Sequence, residues 1–345
     1  MNKRIISTAI LALAFALVVS AWSDKGKTKP EDSNPADQFE KRHDTAILLV
    51  TFGSTSPSTK ATYAQIKEVF RQAFPNTDLY YSFTSRIIIN RLKARGETYI
   101  RPSLWLESFL KKKYKNVYVQ SLHVIPGEEY TLLRDANIKK EYNKQLFDLK
   151  EDQHIMEYQD CNYAVLGDPL LSDDTSIERV AKCLIDLYAK ELKAGEVVAF
   201  MGHGNTEESY RFANEKYDVL EKMMQEYATK QYGNGRVFVA TVDYHGKQFG
   251  DYLAEAIEQC GAKEKIINLH PLMTIAGDHA NNDMAGDRTE KNGQPIPMEE
   301  RSWKLQLQNM GWVVKPTLKG LGDYPEINYI YLEHLKVAIA NADKE

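Results

Sequence analysis

From Thr45 onwards, short apolar runs alternate with longer segments whose apolar residues recur at helical spacing. The run over residues 46–52 is nearly all apolar, which is typical of a strand buried on both faces of a parallel sheet. The segment that follows places Tyr63, Ile66 and Phe70 on one side of a predicted helix. Because this alternation continues along the chain, the sequence predicts an α/β fold built on parallel sheets.

Three apolar runs end in polar residues that are capable of chemistry. One run leads to His203, which stands between two glycines. A second, over residues 266–275, breaks at a glycine and is followed by His279 and nearby carboxylates. A third ends at Asp243. Ligands of open α/β sheets bind beyond the carboxyl ends of the strands, so we expect these side chains to face one cleft.

A weak internal repeat accompanies this pattern. The strand that begins at Ile47 resembles the strand that begins at Val197, and both end in glycine. Residues 124–129 resemble residues 274–279 at nearly the same offset. We infer two copies of one α/β half, which would surround a shared cleft with strand ends from both copies.

The chain divides into four predicted segments. Residues 1–21 have a basic start, an apolar stretch too short for a typical membrane span, and small residues at the cleavage positions, the pattern of a secretory signal peptide. Residues 22–44 are rich in Lys, Asp, Pro and Ser, which predicts a flexible linker. An N-terminal half over residues 45–170 and a C-terminal half over residues 171–345 follow. Because Trp22 stands where a lipoprotein carries its cysteine, we expect a soluble periplasmic protein without stable membrane insertion.

Composition excludes several kinds of function. The formal net charge of -4 argues against a nucleic-acid binder, which usually presents a basic face. Cys161, Cys183 and Cys260 form no Cys-x-x-Cys pair, so they indicate neither a thiolate metal site nor a disulfide framework. One disulfide is an alternative, but burial as small apolar side chains is favoured. The chain has no Gly-x-Gly-x-x-Gly after a strand, no Walker A loop and no Gly-x-Ser-x-Gly.

His203 and His279 are candidate metal ligands, because imidazole binds transition metals and accepts protons near neutral pH. Asp243 adds a carboxylate, and a His, Asp and His set with open positions suits a divalent first-row ion. Structural alternatives stay open: each histidine packs in the interior, Asp243 caps a turn or helix, or His245 replaces it as the donor.

The first half offers candidate substrate contacts. His123 and Glu129 occupy the junction that matches the second histidine loop, and lining the cleft or a structural role are both open for them. The turn that contains Ser54 and Thr55 precedes a helix and is able to bind an anion. Arg86 is able to pair with carboxylates, and a solvated helix face is the plainer alternative.

Several motifs are long enough to indicate a family. They are Phe83-Thr-Ser-Arg86, Ser121-Leu-His-Val-Ile-Pro-Gly-Glu-Glu-Tyr130, Met201-Gly-His-Gly204 and Ala276-Gly-Asp-His-Ala-Asn-Asn-Asp-Met-Ala285. Together they resemble the CbiK-type anaerobic cobalt chelatases, the class II sirohydrochlorin cobaltochelatases related to ferrochelatase. The resemblance extends from about Ala46 to Gly311. It implies a chelatase fold of two flavodoxin-like (Rossmann-like) domains with a tetrapyrrole cleft between them.

The resemblance also implies roles for individual residues. His203 is then the proton acceptor and a metal ligand, and His279 is the second ligating imidazole, so both are expected to be catalytic. Asp243 stands where the family has glutamate, which leaves its role as the third metal ligand less secure. Sirohydrochlorin is polyanionic, so Ser85 joins the hydroxyl and cationic groups expected at the rim of the cleft.

We therefore expect an exported metal chelatase of the lyase class that inserts Co2+, the substrate metal, into sirohydrochlorin, as in cobalamin biosynthesis. Insertion of Fe2+ or Ni2+, or removal of metal from haem, is left open by the carboxylate substitution at Asp243. Cobalamin synthesis is cytoplasmic, so the export signal motivates an alternative of another class, a non-catalytic periplasmic carrier of cobalt or haem. A homo-oligomer is compatible with these patterns, and no nucleic-acid partner is expected.

Overall fold

A computed structural model describes residues 34–152 and 155–344, and in these ranges eight strands form two parallel sheets. The first sheet contains Thr45–Thr51 (β1), Asp78–Phe83 (β2), Asn116–Ser121 (β3) and Val165–Gly167 (β4), in the order β2-β1-β3-β4. A short antiparallel pair consists of Glu290–Lys291 (β8) and Gln294–Pro295 (β9). The second sheet contains Val197–Gly202 (β5), Val237–Thr241 (β6), Ile266–Pro271 (β7) and Val313–Pro316 (β10), in the order β10-β7-β5-β6.

Helices connect these strands. In the first part of the chain they are Thr59–Ala73 (α1), Arg86–Lys93 (α2), Pro102–Lys111 (α3), Glu128–Leu132 (α4) and Lys144–Glu151 (α5). The remaining ones are Asp174–Asp186 (α6), Ala189–Lys193 (α7), Arg211–Tyr232 (α8), Ala254–Gln259 (α9), Trp303–Asn309 (α10) and Pro325–Ala342 (α11). Three π-helical turns accompany them, over Leu133–Asn143, Phe249–Leu253 and His279–Met284.

The two sheets have the same topology. Counted within its own half, each sheet has its strands in the order second, first, third and fourth. Strands β1 and β5, which start the predicted repeat, therefore hold equivalent central positions, and β5 is buried along its whole length. The predicted α/β fold with two parallel sheets is confirmed, and the matching strand order supports the inferred duplication.

The halves share one apolar core. It includes Ile47 and Phe70 from the first half and Phe200 and Tyr217 from the second, all essentially inaccessible to water. A hydrogen bond crosses between the halves where the Thr274 hydroxyl donates to the carbonyl of Leu122 at 2.5 Å. The strand ends of both sheets are therefore held in a fixed relationship, which determines the geometry of the cleft.

The contacts of the last helix, α11, do not follow the predicted division of the chain between residues 170 and 171. Gly167 at the end of β4 lies against the backbone of Leu335 in α11, and Tyr331 donates a hydrogen bond to the Leu122 carbonyl at 3.1 Å. By contact, the last helix therefore belongs with the first sheet, although the predicted C-terminal half extends to residue 345.

The segment before β1 corrects another expectation. Pro35–Gln38 forms a 3-10 helix, Ala36 is completely buried, and the Asn34 amide donates to the Leu104 carbonyl at 2.8 Å. The flexible linker predicted over residues 22–44 is thus wrong from residue 35 onwards, because this part packs against α3.

Other predictions at the ends of the chain and for the cysteines have different outcomes. The signal peptide predicted over residues 1–21 lies outside the described residues. Among the described helices, none is long and apolar enough to cross a bilayer. The thiols of Cys161, Cys183 and Cys260 are free. Cys161 is buried, as the favoured interpretation expects, whereas Cys183 and Cys260 are only partly buried.

Candidate functional site

His203 leaves the end of β5 in a turn that requires glycine on both sides. A Cβ on Gly202 would lie 2.8 Å from the Tyr217 ring, and one on Gly204 would lie 2.8 Å from the Tyr244 nitrogen. Gly204 also has a φ of +82°, a conformation that other residues adopt only with strain. These two glycines let the chain turn sharply against the neighbouring loop, and the imidazole projects from the turn with 47% of its side chain exposed.

Asp243 is brought beside His203 by backbone pairing that continues past the ends of β5 and β6. The Val242 amide donates to the Gly202 carbonyl at 3.1 Å, and the Asp243 amide donates to the His203 carbonyl at 2.8 Å. As a result, an Asp243 carboxylate oxygen lies 3.7 Å from Nδ1 of His203. This distance is longer than a hydrogen bond, so the carboxylate is a neighbour of the imidazole and not its main partner.

The main partner of His203 Nδ1 is the carbonyl of Gly204, at 2.9 Å. A carbonyl only accepts, so Nδ1 carries the proton and Nε2 carries a lone pair. Burial and the neighbouring His279 imidazole lower the pKa of His203, although Asp243 acts in the opposite direction. His203 is therefore neutral near pH 7 and is able to accept either a proton or a metal ion through Nε2.

His279 lies at the start of the π-helical turn that follows β7. Its Nδ1 contacts a carboxylate oxygen of Asp283 at 2.6 Å, so Nδ1 is the donor and Nε2 again carries the lone pair. Burial is the largest single influence and opposes protonation, but the hydrogen bond to Asp283 and the negative charges of Asp283, Asp243 and Asp278 together outweigh it and raise the pKa of His279. A carboxylate behind the imidazole fixes the ring orientation and increases its basicity, as behind many metal-bound histidines.

The two imidazoles are neighbours. Their ring centroids lie 4.8 Å apart and their planes meet at 81°. Among residues 34–152 and 155–344, however, no three His, Cys, Asp or Glu side chains converge in a geometry that already holds a metal ion. The predicted set is therefore present as two adjacent pairs, His203 with His279 and His203 with Asp243. That His203, His279 and Asp243 together bind a metal ion stays a prediction.

Loops of the first half contact the loops that carry His203 and His279. Gly277, two residues before His279, lies so close to Ser54 that a Cβ there would be 3.1 Å from the Ser54 hydroxyl. On the other side, the Glu128 amide donates to the side-chain oxygen of Asn205 at 3.1 Å, two residues after His203. The structure thus brings both histidine loops into contact with the β1 and β3 ends of the first half.

His123 and Glu129, from the first half, each contain a buried polar atom without a hydrogen-bond partner among the described residues. For His123 the atom is Nε2, since Nδ1 is bonded to the Ser121 hydroxyl at 2.8 Å. For Glu129 it is Oε2. Burial lowers the pKa of His123 to about 4 and raises the pKa of Glu129 to about 7. Both groups are therefore mostly uncharged at pH 6, and their role in substrate binding stays a prediction.

The remaining predicted rim residues have local contacts. The Ser85 hydroxyl caps α2 by accepting from the Ile88 amide at 3.4 Å, and the Thr55 carbonyl accepts from Arg95 at 2.8 Å. Arg86 lines a cavity of about 510 Å³ together with Lys93 and Arg101. Ser85 thus has a structural role as the cap of α2, and the substrate roles of all three residues stay predictions.

Sequence reasoning missed two groups of residues at this site. Asn205 is held by Asn214, whose amide donates to the Asn205 carbonyl at 2.8 Å, and it bridges to the first half. Lys247 and Glu221 form a buried ion pair behind the Asp243 loop, with 3.0 Å between Nζ and Oε2. Neither group has a periodic or motif signal, because each depends on contacts between distant parts of the chain.

The fold and the site define an α/β protein with two parallel-sheet halves, in which the loops that follow β5 and β7 bring two partly exposed imidazoles together. The sequence model of the cobalt chelatase (CbiK) family matches residues 45–340, and the chain belongs to this family. The predicted family is therefore confirmed.

Two curated relatives have similar length. The chain is 29% identical over 328 residues to the sirohydrochlorin cobaltochelatase CbiKC of Nitratidesulfovibrio vulgaris, covering 95% of this chain and 100% of the relative. It is 29% identical over 303 residues to the sirohydrochlorin cobaltochelatase of Salmonella typhimurium, covering 87% and 98%. Among solved structures, SirB from Bacillus subtilis with Fe3+ aligns with a TM-score of 0.49 and 14% identity, over 87% of this chain and 98% of that one.

Proposed function

We propose that this member of the cobalt chelatase family inserts Co2+ into sirohydrochlorin at the cleft that contains His203 and His279. The observation that carries the proposal is the contact between the two imidazoles, at 4.8 Å between ring centroids, with Nδ1 of each ring engaged by another acceptor. The names of the two curated relatives support the choice of metal and tetrapyrrole.

The chemistry of insertion matches these two side chains. The macrocycle has to lose two pyrrole N–H protons, and the incoming ion has to lose water. Two Nε2 atoms in one cleft replace part of the hydration shell and hold the ion near the ring nitrogens, which lowers the entropic cost of the encounter. His203 is neutral because its pKa is lowered, so its Nε2 accepts one pyrrole proton when it is not bound to the ion, and the second proton passes to water.

Asp243 supplies a third donor in this proposal. Its carboxylate is 3.7 Å from Nδ1 of His203 and 26% exposed, so it lies beside the imidazole that is proposed to hold the ion. A hard carboxylate beside two imidazoles suits Co2+, Fe2+ and Ni2+ alike, so metal preference has to be measured. We propose Co2+ as the physiological substrate, with Fe2+ and Ni2+ as the competing ions.

We also propose that the first half contacts the carboxylate-rich rim of the tetrapyrrole. The candidate groups are Ser54, Thr55, Ser85, Arg86, His123 and Glu129. Ser54 has the most direct support, because it lies against the loop that carries His279.

The test is an anaerobic insertion assay with sirohydrochlorin and Co2+, followed by the change in tetrapyrrole absorbance. H203A and H279A are expected to lose at least about a hundredfold in kcat/KM, since general acid–base catalysis alone contributes about this much. H245A is the matched variant, because His245 is an exposed histidine in the same loop as Asp243. Wild-type rates in H203A would overturn the proposed mechanism, and loss in H245A but not D243A would assign the third donor to His245.

We propose further that the protein is exported to the periplasm by residues 1–21. Cell fractionation and N-terminal sequencing of the mature chain test this, with a variant that lacks residues 2–21 as the control. Because residues 1–21 have the pattern of an export signal, a second function is tested as well, that of a carrier of cobalt or haem. Product formation beyond one equivalent per protein chain supports the enzyme, and a strict stoichiometric limit supports the carrier.

A further inference from the structure

A closed loop carries Asp243 between β6 and the π-helical turn at Phe249–Leu253. The loop leaves the sheet at Thr241 and returns at Lys247, where the Thr241 amide donates to the Lys247 carbonyl at 2.9 Å. Inside the loop, the Lys247 amide donates to the Tyr244 carbonyl at 3.1 Å. Lys247 therefore closes the neck of the loop that holds the carboxylate.

The side chain of Lys247 is buried, with only 8% of it exposed. Its ammonium group lies 2.7 Å from a carboxylate oxygen of Asp218 and 3.0 Å from one of Glu221, both on α8. The ammonium group also lies 4.5 Å from the centre of the Tyr252 ring. Burial of a lysine is strongly unfavourable unless its charge is compensated, and these contacts compensate it.

Glu221 connects the lysine to the sheet. Its Oε2 atom accepts from the Val239 amide of β6 at 2.7 Å, and its Oε1 atom accepts a hydrogen bond from the Tyr252 hydroxyl. Glu221 is itself buried, with 8% of the residue exposed. The neck of the Asp243 loop is thus attached to α8, to β6 and to the turn that follows it.

The position of Asp243, in contrast, depends on the loop backbone. Its amide pairs with the His203 carbonyl at 2.8 Å, while the carboxylate contacts His203 only at 3.7 Å. A shift of the loop by about 1 Å is enough to misplace a ligand, and such losses are large in preorganised sites. We propose that Lys247 is a positioning residue for the substrate metal, which acts by fixing the loop that presents Asp243. This inference rests on the proposed role of Asp243 as a metal ligand.

The test measures Co2+ affinity by titrating the metal alone into the purified full-length protein, and it measures KM for Co2+ and for sirohydrochlorin separately. K247M is expected to weaken Co2+ affinity by about tenfold or more, the size of effect seen for groups that orient metal ligands. The KM of K247M for the tetrapyrrole is expected to stay within about twofold of the wild-type value, since the first half is untouched. K247R keeps the positive charge and is expected to retain most of the wild-type affinity for Co2+.

Two variants separate positioning from general stability. K315M is the control, because Lys315 on β10 forms an ion pair with Glu196 at 2.8 Å, although its side chain is half exposed, and the Co2+ affinity of K315M is expected to match wild type. If K247M does not fold, K247M/E221Q removes the unpaired buried carboxylate and is expected to show the same loss of Co2+ affinity. A folded K247M or K247M/E221Q that binds Co2+ as wild type does would overturn the proposal.

Failure of this inference is distinguishable from failure of the proposed function. If D243A also binds Co2+ as wild type does, the role of Asp243 as a ligand is wrong and the positioning role falls with it. If D243A loses affinity and K247M does not, only the positioning role is wrong. K247M added to D243A is expected to cause no further loss, because both changes act through one carboxylate.

Discussion

The imidazoles of His203 and His279 lie at right angles to one another, 4.8 Å apart, although each follows a different strand of the second sheet. Different acceptors hold Nδ1 of the two rings, a backbone carbonyl for His203 and a carboxylate for His279. The pair is therefore asymmetric: the pKa of His203 is lowered, and the pKa of His279 is raised. This asymmetry suits a site in which the neutral His203 offers its Nε2 lone pair either to a proton or to an ion.

Removing the carboxylate behind His279 is expected to weaken metal binding. D283N keeps the size of the side chain but loses the strong acceptor 2.6 Å from Nδ1, so the ring is less well oriented and less basic. We expect Co2+ affinity, measured by titration at pH 8, to fall by about 10- to 100-fold. D278N is the control, because Asp278 contacts Arg91 at 3.9 Å and not the His279 ring. Equal losses in the two variants would contradict an orienting role for Asp283.

The turn after His203 predicts a difference between two glycine substitutions. Gly204 and Gly195 both have a positive φ, at +82° and +83°, but a Cβ clashes only at Gly204, 2.8 Å from the Tyr244 nitrogen. G195A is expected to lose about 1–2 kcal/mol of unfolding free energy from the left-handed backbone alone. G204A is expected to lose about 1–3 kcal/mol more, because Tyr244 has to move.

Urea unfolding measures this difference. Metal titration adds a second check, since Tyr244 follows Asp243 and its displacement is expected to lower Co2+ affinity in G204A but not in G195A. Identical unfolding free energies for the two variants would show that the loop accommodates a Cβ at residue 204 without cost.

Much of this arrangement is predictable from the sequence. Strand β5 is buried and apolar along its length, and His203 follows it directly, as the sequence predicts; β7 ends at Pro271 and not at residue 275, so His279 lies in the loop beyond the strand end. Their proximity also follows from topology, because β5 and β7 are neighbours in the sheet. Local pattern and the rule for ligand sites in open sheets are sufficient for this part.

Other features depend on contacts that no local pattern contains. The burial of Ala36 comes from packing on α3, so composition alone suggested a flexible linker. The apolar residues of α11 do not specify which sheet it covers, and in the structure it packs against the first. Lys247 resembles a surface lysine in sequence, and only the fold brings it between Asp218 and Glu221.

Glu129 is expected to make stability fall as pH rises. Burial raises the pKa of its carboxyl from 4.5 to about 7, so the folded state binds the proton more tightly than the unfolded state does. The resulting stabilisation is complete below pH 4.5 and is lost as pH rises through 7, by about 1–3 kcal/mol. E129Q is uncharged at every pH, so the difference in unfolding free energy, E129Q minus wild type, is expected to increase from pH 4.5 to pH 8.

Urea unfolding at pH 4.5, 6 and 8 measures this difference. E226Q changes an exposed glutamate on α8 and is the control. A constant difference for E129Q across the three pH values would show that Glu129 ionises in the folded protein as it does in the unfolded chain.

His270 is expected to act in the opposite direction. It is completely buried on β7, where Nδ1 contacts the Tyr188 hydroxyl at 3.0 Å and the ring stacks on Phe200 with 5.5 Å between centroids. Burial lowers the pKa of His270 from 6.5 to about 4, so the unfolded state binds its proton more tightly. The stabilisation is complete above pH 6.5 and is lost as pH falls through 4, by about 2–3 kcal/mol.

H270Q removes this titration. Its free energy of unfolding is expected to fall less between pH 7 and pH 4 than that of wild type, although H270Q is less stable than wild type at pH 7. H245Q, at an exposed histidine, is expected to follow the wild-type pH dependence. Because His270 lies on the strand that leads to His279, cobalt insertion below pH 5 has to be compared with the folded fraction measured at the same pH. A parallel pH dependence of unfolding in H270Q and wild type would show that His270 accepts a proton without unfolding the sheet.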